Sequence, residues 1–405
     1  MPSAPSRLAT RSRHRPPDRI LGPRSNPLDA PLDAWLALVN APGIGPRAVA
    51  GLIEHFGSPV AVLRASPERL AAAGLKPASV SALKQPDPDA LAAALDWSAQ
   101  PDAHILTLAD SRYPPLLAEI HDAPPLLYVR GDVGLLAEPQ LAIVGSRNPT
   151  PGGLETTREF ARQLVGFGLI VTSGLALGVD GAAHASALAG GGRTIAVLGT
   201  GPDRVYPAIH RDLARRIADA GALVSEFPPG QGPLARNFPR RNRLISGLSL
   251  GVLVTEAALK SGSLITARAA LEQGREVFAV PGSIRNPLAR GCHALIRDGA
   301  KLVESAQDIL VELAPMLRYA LAAPASALAA TADLADAEAA PALSASLDAE
   351  SRRLLDAMGF DPVAPDELIE RSGLPAQRVG AMLLVLELSG HVSSAPGGRY
   401  HRSRT

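Results

Sequence analysis

Between residues 140 and 313 the chain alternates short apolar, largely β-branched runs with longer stretches at helical spacing. That rhythm predicts an α/β fold with a parallel sheet buried on both faces and crossed by helices. The runs fall at 141–144, 169–172, 194–198, 222–224, 250–254, 276–280 and 301–303. Ahead of them, helical patterns over 32–39, 46–56, 67–73 and 89–99 are separated by Gly and Pro, which predicts a small all-α domain. Behind them, helical patterns over 347–358, 365–372 and 375–389 precede a two-stranded hairpin turning at Gly397-Gly398. Three helices and a hairpin are the element order of a winged helix.

Two segments lack the apolar content for a core. Residues 1–30 are rich in Pro, Ser and Arg and read as a disordered basic arm, either a non-specific phosphate contact or an incidental extension. Residues 316–346 are dominated by Ala and Pro and read as a linker. The expected organisation is therefore arm 1–30, helical domain 31–105, sheet domain 106–315, linker 316–346 and winged helix 347–405. A proline-rich connector over 113–125 opens the sheet domain.

Composition narrows the chemistry. At 405 residues the chain holds two or three domains. A formal net charge of +1 excludes a globally basic DNA coat, so any nucleic-acid surface must be a local patch. The single cysteine, Cys292, excludes an internal disulfide and a cysteine-rich zinc site, and fits a reducing compartment. With no apolar run of about 18 residues and no apolar signal core at the N-terminus, the sequence reads as a soluble, cytoplasmic protein with no membrane partner.

The local patch is Arg236-Asn237-Phe238-Pro239-Arg240-Arg241-Asn242-Arg243, which leads into the apolar run at 250–254. Between residues 227 and 255 there is no Asp or Glu. Arginine forks beside an aromatic ring and amide side chains suit phosphate oxygens and a stacked base. A solvated basic loop before a buried strand is the other reading, so the surroundings decide. In an open parallel sheet the turns after the strands gather at the carboxyl edge, where ligands bind. Gly145-Ser146-Arg147 follows the first run, Ser173-Gly174 the second and Gly199-Thr200-Gly201 the third. Lys260-Ser261-Gly262-Ser263 follows the fifth and opens a helix near residue 264, a second candidate anion site. Within the arginine stretch, a helix starting at Pro239 points Arg240, Arg241 and Arg243 in different directions, so at least one of them braces the fold.

Other motifs are weaker or missing. Gly145-Ser146-Arg147 with Gly152-Gly153 and a helix from about 154 is a phosphate-cradling turn. It is not the dinucleotide fingerprint, because no G-x-G-x-x-G stands in register, and no P-loop sequence occurs anywhere. Asp180 and His184, four apart, suit a helix N-cap and a satisfied imidazole better than an acid/base pair. The turn Gly43-Ile44-Gly45-Pro46 reads equally as a helix-hairpin-helix phosphate contact or a plain glycine turn, since Arg47 is the one cation after it. The third helix of the winged-helix candidate carries only Arg378, too little for a recognition helix, which favours a protein-contact or accessory role. No catalytic set, metal-ligand spacing or cofactor motif emerges.

Five ordered blocks carry a resemblance: Val144-Gly145-Ser146-Arg147, Ser173-Gly174-Leu175-Ala176-Leu177-Gly178-Val179-Asp180, the stretch from Gly199-Thr200-Gly201 to Tyr206-Pro207, the stretch from Asn237-Phe238 to Ser246, and Lys260-Ser261-Gly262-Ser263-Leu264-Ile265-Thr266-Ala267. Together they resemble the DNA-processing protein A family, also called Smf, over nearly the whole chain. The resemblance implies a sterile-alpha-motif-like or helix-hairpin-helix N-terminal domain, an extended Rossmann-like core and a winged-helix tail. It also implies single-stranded DNA binding without strong sequence preference, loading of the RecA recombinase in natural transformation and recombination, and a homodimer formed through the core. By the same resemblance Arg147, Phe238, the neighbouring arginines and Lys260 line the single-strand pocket. His210 stands where many members have Asn, which leaves one local contact open.

Three functional classes follow, the third a scaffold whose basic edge binds only protein. The first is a non-enzymatic single-strand binder with site residues Gly145, Ser146, Arg147, Ser173, Gly174, Arg236, Asn237, Phe238, Arg240, Arg241, Asn242, Arg243, Lys260, Ser261, Gly262 and Ser263. The second is a nucleotide-processing enzyme resembling nucleoside monophosphate phosphoribohydrolases, in which Glu256 acts and Arg147 holds the phosphate.

Overall fold

The computed structural model describes residues 30–327, 349–358, 363–388, 391–395 and 398–402. The arm up to residue 29, most of the linker and Gly397 lie outside the described residues.

Six short helices open the fold: α1 (Leu32–Asn40), α2 (Pro46–Phe56), α3 (Pro59–Arg64), α4 (Pro67–Ala72), α5 (Pro77–Lys84) and α6 (Pro88–Ser98). Proline at the first position starts α2 to α6, where its fixed φ costs nothing and its missing N–H has no partner to lose. Ser58, Ser66 and Asp87 cap α3, α4 and α6 through their side-chain oxygens. Helices α3 and α5 go beyond the four predicted. Trp35, Leu36, Leu38 and Leu70 form the centre of this core, which continues onto Leu126 and Tyr128 of the sheet.

The sheet has nine strands. Strand β1 (Ala103–Thr107), a short helix α7 (Pro115–Ala118) and β2 (Leu126–Gly131) come first. β1 pairs antiparallel with β2, so the boundary expected after residue 105 falls inside a strand. The alternating units follow as β3 (Gln140–Val144), α8 (Pro151–Gly166), β4 (Ile170–Ser173), α9 (Val179–Ala189), β5 (Thr194–Val197), α10 (Arg211–Ala220), β6 (Ala222–Ser225), α11 (Asn237–Leu248), β7 (Gly251–Val254), α12 (Ser263–Glu272), β8 (Glu276–Ala279), α13 (Arg290–Arg297), β9 (Lys301–Leu302) and α14 (Ala306–Ala327). All seven predicted strands are present within one residue at either end, and they pair in parallel.

The strand order is β1-β2-β6-β5-β4-β3-β7-β8-β9, with β2 antiparallel on β6. The chain builds outward from β3 through β4, β5 and β6 on one side, then crosses to β7, β8 and β9 on the other. The carboxyl end of β3 is thus a topological switch point, where the departing loops leave a crevice. Alternate β3 residues serve opposite faces. Leu141 and Ile143 pack with α8, α9 and α14, and Ala142 and Val144 with α11, α12 and α13.

Helix α14 runs through residue 327, so the expected linker begins as helix, and Leu317 belongs to the core. Beyond it α15 (Ala349–Met358), α16 (Pro365–Ser372), α17 (Ala376–Leu388) and the hairpin β10 (Val392–Ala395) and β11 (Arg399–Arg402) form a separate small core around Leu354, Leu368, Val379 and Leu386. Helix α17 packs on α8 and α14, and Arg378 is ion-paired with Glu350. Among the described residues no helix is long and apolar enough to cross a membrane.

Candidate functional site

The switch-point crevice is a cavity of about 780 Å³ between the tips of β3, β4 and β5 and the N-termini of α11 and α12. Helices that follow a parallel strand begin at its carboxyl edge, so their N–H ends and partial positive charge face this space. The loop after β3 enters it first. Ser146 donates its N–H to the Glu256 carbonyl at 2.7 Å and accepts from Val179 N–H at 3.1 Å, which fixes the loop between β7 and α9. Arg147, next along, is exposed, makes no salt bridge among the described residues and lies with its guanidinium 5.9 Å from the centre of the Phe238 ring.

The arginine stretch is helical from Asn237, two residues before the expected start, and its side chains separate by face. Phe238, Arg241 and Asn242 line the cavity. Arg241 is only 4% exposed and donates to the carbonyls of Gly174, at 2.6 Å, and of Val197. Burial pushes its pKa down to about 10, with the charge of Arg147 adding to the effect and Asp180 opposing it. Arg243 and Arg240 turn to the other side. Arg243 pairs with Glu226 and Asp122, and Arg240 with Glu226 at 3.1 Å. Asn237 is buried with its amide on the Gly199 carbonyl, and Arg236 is exposed outside the cavity. The absence of acid from residues 227 to 255 is thus a property of the sequence and not of the space, because Glu226 and Asp122 supply carboxylates from outside the stretch.

The opposite wall is the loop before α12. Lys260 is exposed, and the hydroxyls of Ser261 and Ser263 lie 2.7 Å apart at the helix start. Asn242 donates to the Gly262 carbonyl at 3.3 Å, tying α11 to this wall. Of the predicted site residues, Gly145, Ser146, Arg147, Phe238, Arg241, Asn242, Lys260, Ser261, Gly262 and Ser263 meet around one cavity. Ser173 does not, since its hydroxyl is buried on the Ile143 carbonyl, and Gly174 lines only a small recess beside the cavity.

Asp180 is the one acidic residue among the described residues that line the cavity. It is no N-cap: α9 starts at Val179, and Asp180 sits inside the first turn and accepts from Ala176 N–H at 3.3 Å. Burial raises its pKa, and Arg241 pulls the other way. His184 is likewise not bound to its own turn. Its Nδ1 meets the Thr194 hydroxyl at 2.7 Å, and that hydroxyl donates to the Val171 carbonyl. Since Thr194 has one hydrogen, His184 is the donor and its buried Nε2 is bare.

Glu256 is held elsewhere. Its carboxylate accepts from Thr150 N–H at 2.8 Å, Thr150 Oγ1 at 2.7 Å and Asn286 Nδ2 at 3.1 Å. Thr150 in turn caps α8, which therefore begins at Pro151 and takes Gly152-Gly153 into its first turn. His210 reaches across to the Leu175 carbonyl at 2.9 Å, the contact that the sequence left open. Tyr206, to which no role was assigned from sequence, also lines the cavity, against Phe238. Its position just after a glycine turn at a strand tip was the available signal. Among the described residues no group of three or more His, Cys, Asp or Glu side chains could hold a metal ion.

Comparison with known proteins agrees with this architecture. The family model described as DNA recombination-mediator protein A matches residues 104–314, that of the DprA winged helix domain residues 338–398, and that of the DprA-like N-terminal HHH domain residues 30–85. Protein Smf of Escherichia coli (strain K12) is 45% identical over 305 residues, covering 75% of this chain and 79% of that protein. DNA processing protein DprA of Streptococcus pneumoniae (strain ATCC BAA-255 / R6) is 48% identical over 206 residues, 51% of this chain and 73% of that protein. The X-ray structure of DNA processing protein A from Streptococcus pneumoniae superposes with a TM-score of 0.63 at 38% identity, covering 69% of this chain and 97% of that chain. With the Rossmann-like sheet, the helical N-terminal domain and the winged helix in place, the chain belongs to the DNA recombination-mediator protein A family, DprA or Smf.

Proposed function

We propose that this chain binds single-stranded DNA in the switch-point cavity, without catalysing a reaction on it, and that it protects incoming strands and loads the RecA recombinase in natural transformation and recombination. It acts in the cytoplasm as a homodimer. The observation that carries the reading is the composition of the cavity walls. Arg147 and Lys260 stand free at opposite sides, two serine hydroxyls and two helix N-termini face in, and the Phe238 and Tyr206 rings lie on the Arg147 side. Backbone phosphates need fixed cations and N–H donors, and unpaired bases need π-faces, and these walls supply both. The names of the relatives, DNA processing protein and DNA recombination-mediator protein, fit the same role. RecA and the homodimer rest on the family resemblance alone.

Glu256 speaks against the nucleotide-processing alternative. A general acid or nucleophile has to meet substrate, and this carboxylate is buried with three donors on it and does not line the cavity. The test is a gel shift comparing single with double strands, with and without RecA, alongside incubation with nucleoside monophosphates. Preference for the single strand and a ternary species with RecA are expected. Free base released from the monophosphates, or equal binding of both duplex and single strand, would overturn the reading.

A further inference from the structure

The aromatic cluster at the cavity has an order that the sequence does not show. Phe238 is half-buried and enclosed on three sides. Its ring lies against Gly199, where an added Cβ would stand 2.8 Å from Cδ1; Arg147 lies over it at 5.9 Å; and the Tyr206 ring meets it at 5.5 Å between centroids, tilted by 50°. Tyr206 by contrast is 48% exposed and its hydroxyl has no hydrogen-bond partner among the described residues. We infer that Tyr206, supported from behind by Phe238, is the surface on which a base of the bound strand stacks, and that Phe238 positions Tyr206 and Arg147 without stacking on DNA itself. This rests on the single-strand reading of the cavity and adds to it which side chain touches a base.

The segment that carries Tyr206 is held at both ends. Thr200 Oγ1 donates to the Arg204 carbonyl at 2.6 Å, and Ser225 Oγ donates to the Thr200 carbonyl at 2.6 Å. Val205 packs into the cluster of Leu198 and Leu223, which leaves its neighbour Tyr206 facing outward. On the far side His210 ties the segment to the Leu175 carbonyl, in the loop that presents Leu177, 44% exposed. Leu177, Tyr206, Pro207 and Phe238 then border one small recess beside Arg147 and Arg241, and both arginines also line the cavity. Lys260, Ser261 and Ser263 are on the facing wall. One side carries the exposed Tyr206 ring with Arg147 beside it and the other carries Lys260 with two hydroxyls, so a single strand between them stacks a base on Tyr206 and brings phosphates to Arg147 and Lys260. A rigid ring held at a fixed angle loses little entropy on stacking and accepts any base, because every base has a π-face.

The test is a two-by-two cycle on the full chain, Tyr206→Ala against a short oligo(dT) in which the bases are replaced by abasic sites one at a time. Base stacking on an aromatic side chain corresponds to a loss of roughly 5- to 150-fold in affinity when it is removed. Tyr206→Ala is expected to weaken binding by a factor in that range with an unchanged dependence on salt, since no phosphate contact is lost. One abasic position should weaken the wild type by a similar factor and leave Tyr206→Ala unaffected, and Tyr206→Phe should bind as the wild type does. If every abasic position costs the variant as much as the wild type, or if Tyr206→Ala binds with wild-type affinity, the assignment of Tyr206 is overturned while the single-strand reading stands. If the wild type does not bind oligo(dT) at all, the reading itself fails and Tyr206 with it.

Discussion

Arg243 donates to Glu226 at 2.5 Å beneath helix α11, with both side chains almost wholly out of solvent. Sequence places Arg243 in the most basic stretch of the chain, yet its charge is neutralised inside the fold, and Asp122 takes its Nε at 3.1 Å. Removing one partner of a buried pair strands the other, at a cost of about 3–5 kcal/mol. Arg243→Leu is expected to fall near the lower end, because Arg240 still touches Glu226. Urea unfolding checks this. The exposed Arg147→Ala should leave stability within about 0.5 kcal/mol, as surface substitutions do.

Binding separates the same arginines in the opposite sense. Each phosphate contact to a single strand contributes about 0.7 to the slope of log affinity against log salt. With Arg147 and Lys260 on one phosphate each, the double variant Arg147→Ala, Lys260→Ala is expected to lower that slope by about 1.4. A folded Arg240→Ala should leave it unchanged, since Arg240 lies on Glu226 and over the Phe227 ring. Titrations of a fluorescent oligonucleotide at several salt concentrations measure both.

What was legible in the sequence follows from how locally each feature is encoded. The parallel strands β3 to β8 are near-continuous apolar runs, because burial on both faces leaves such runs wherever they pair, whereas β9 is an exposed pair, Lys301–Leu302, at the sheet edge. Strands β1 and β2 escaped because Ala103–Thr107 and Leu126–Gly131 flank a proline-rich connector outside the strand–helix alternation, and their place in the sheet depends on the pairing of β2 with β6. The strand tips of the site were readable for the same local reason, as glycine and small polar residues closing apolar runs. The division of labour among Arg240, Arg241 and Arg243 was not. Glu226 and Asp122, and the carbonyls of Gly174 and Val197, come from other elements, and only the fold brings them to these arginines.

Gly153 and Glu256 give a packing prediction. In the first turn of a helix Ala is ordinarily better than Gly. Here a Cβ on Gly153 would stand 2.4 Å from the Glu256 carboxyl carbon, and that carboxylate is fixed by Thr150 and Asn286. Gly153→Ala is therefore expected to destabilise by about 1–3 kcal/mol, the usual range for overpacking. Glu256→Ala combined with Gly153→Ala should recover part of that loss, which a thermal or urea double-variant cycle reads out.

His184 sets a pH dependence. Burial, with the charges of His210 and Arg241 beside it, pushes its pKa from 6.5 down to about 3. The neutral ring donates from Nδ1 to Thr194, so protonation must place a second hydrogen on a buried Nε2 that has no acceptor. A folded-state pKa below the unfolded one means that the unfolded chain binds the proton more tightly. Stability from this group is then fully present above pH 6.5 and is lost as pH falls towards 3, by about 1.4 kcal/mol per pH unit within that window. His184→Asn keeps a donor for Thr194 and cannot titrate. Its urea stability between pH 6 and pH 4 should fall less steeply than that of the parent chain, by about 1.4 kcal/mol for each pH unit. Equal slopes for the two proteins would mean that the imidazole finds an acceptor on protonation.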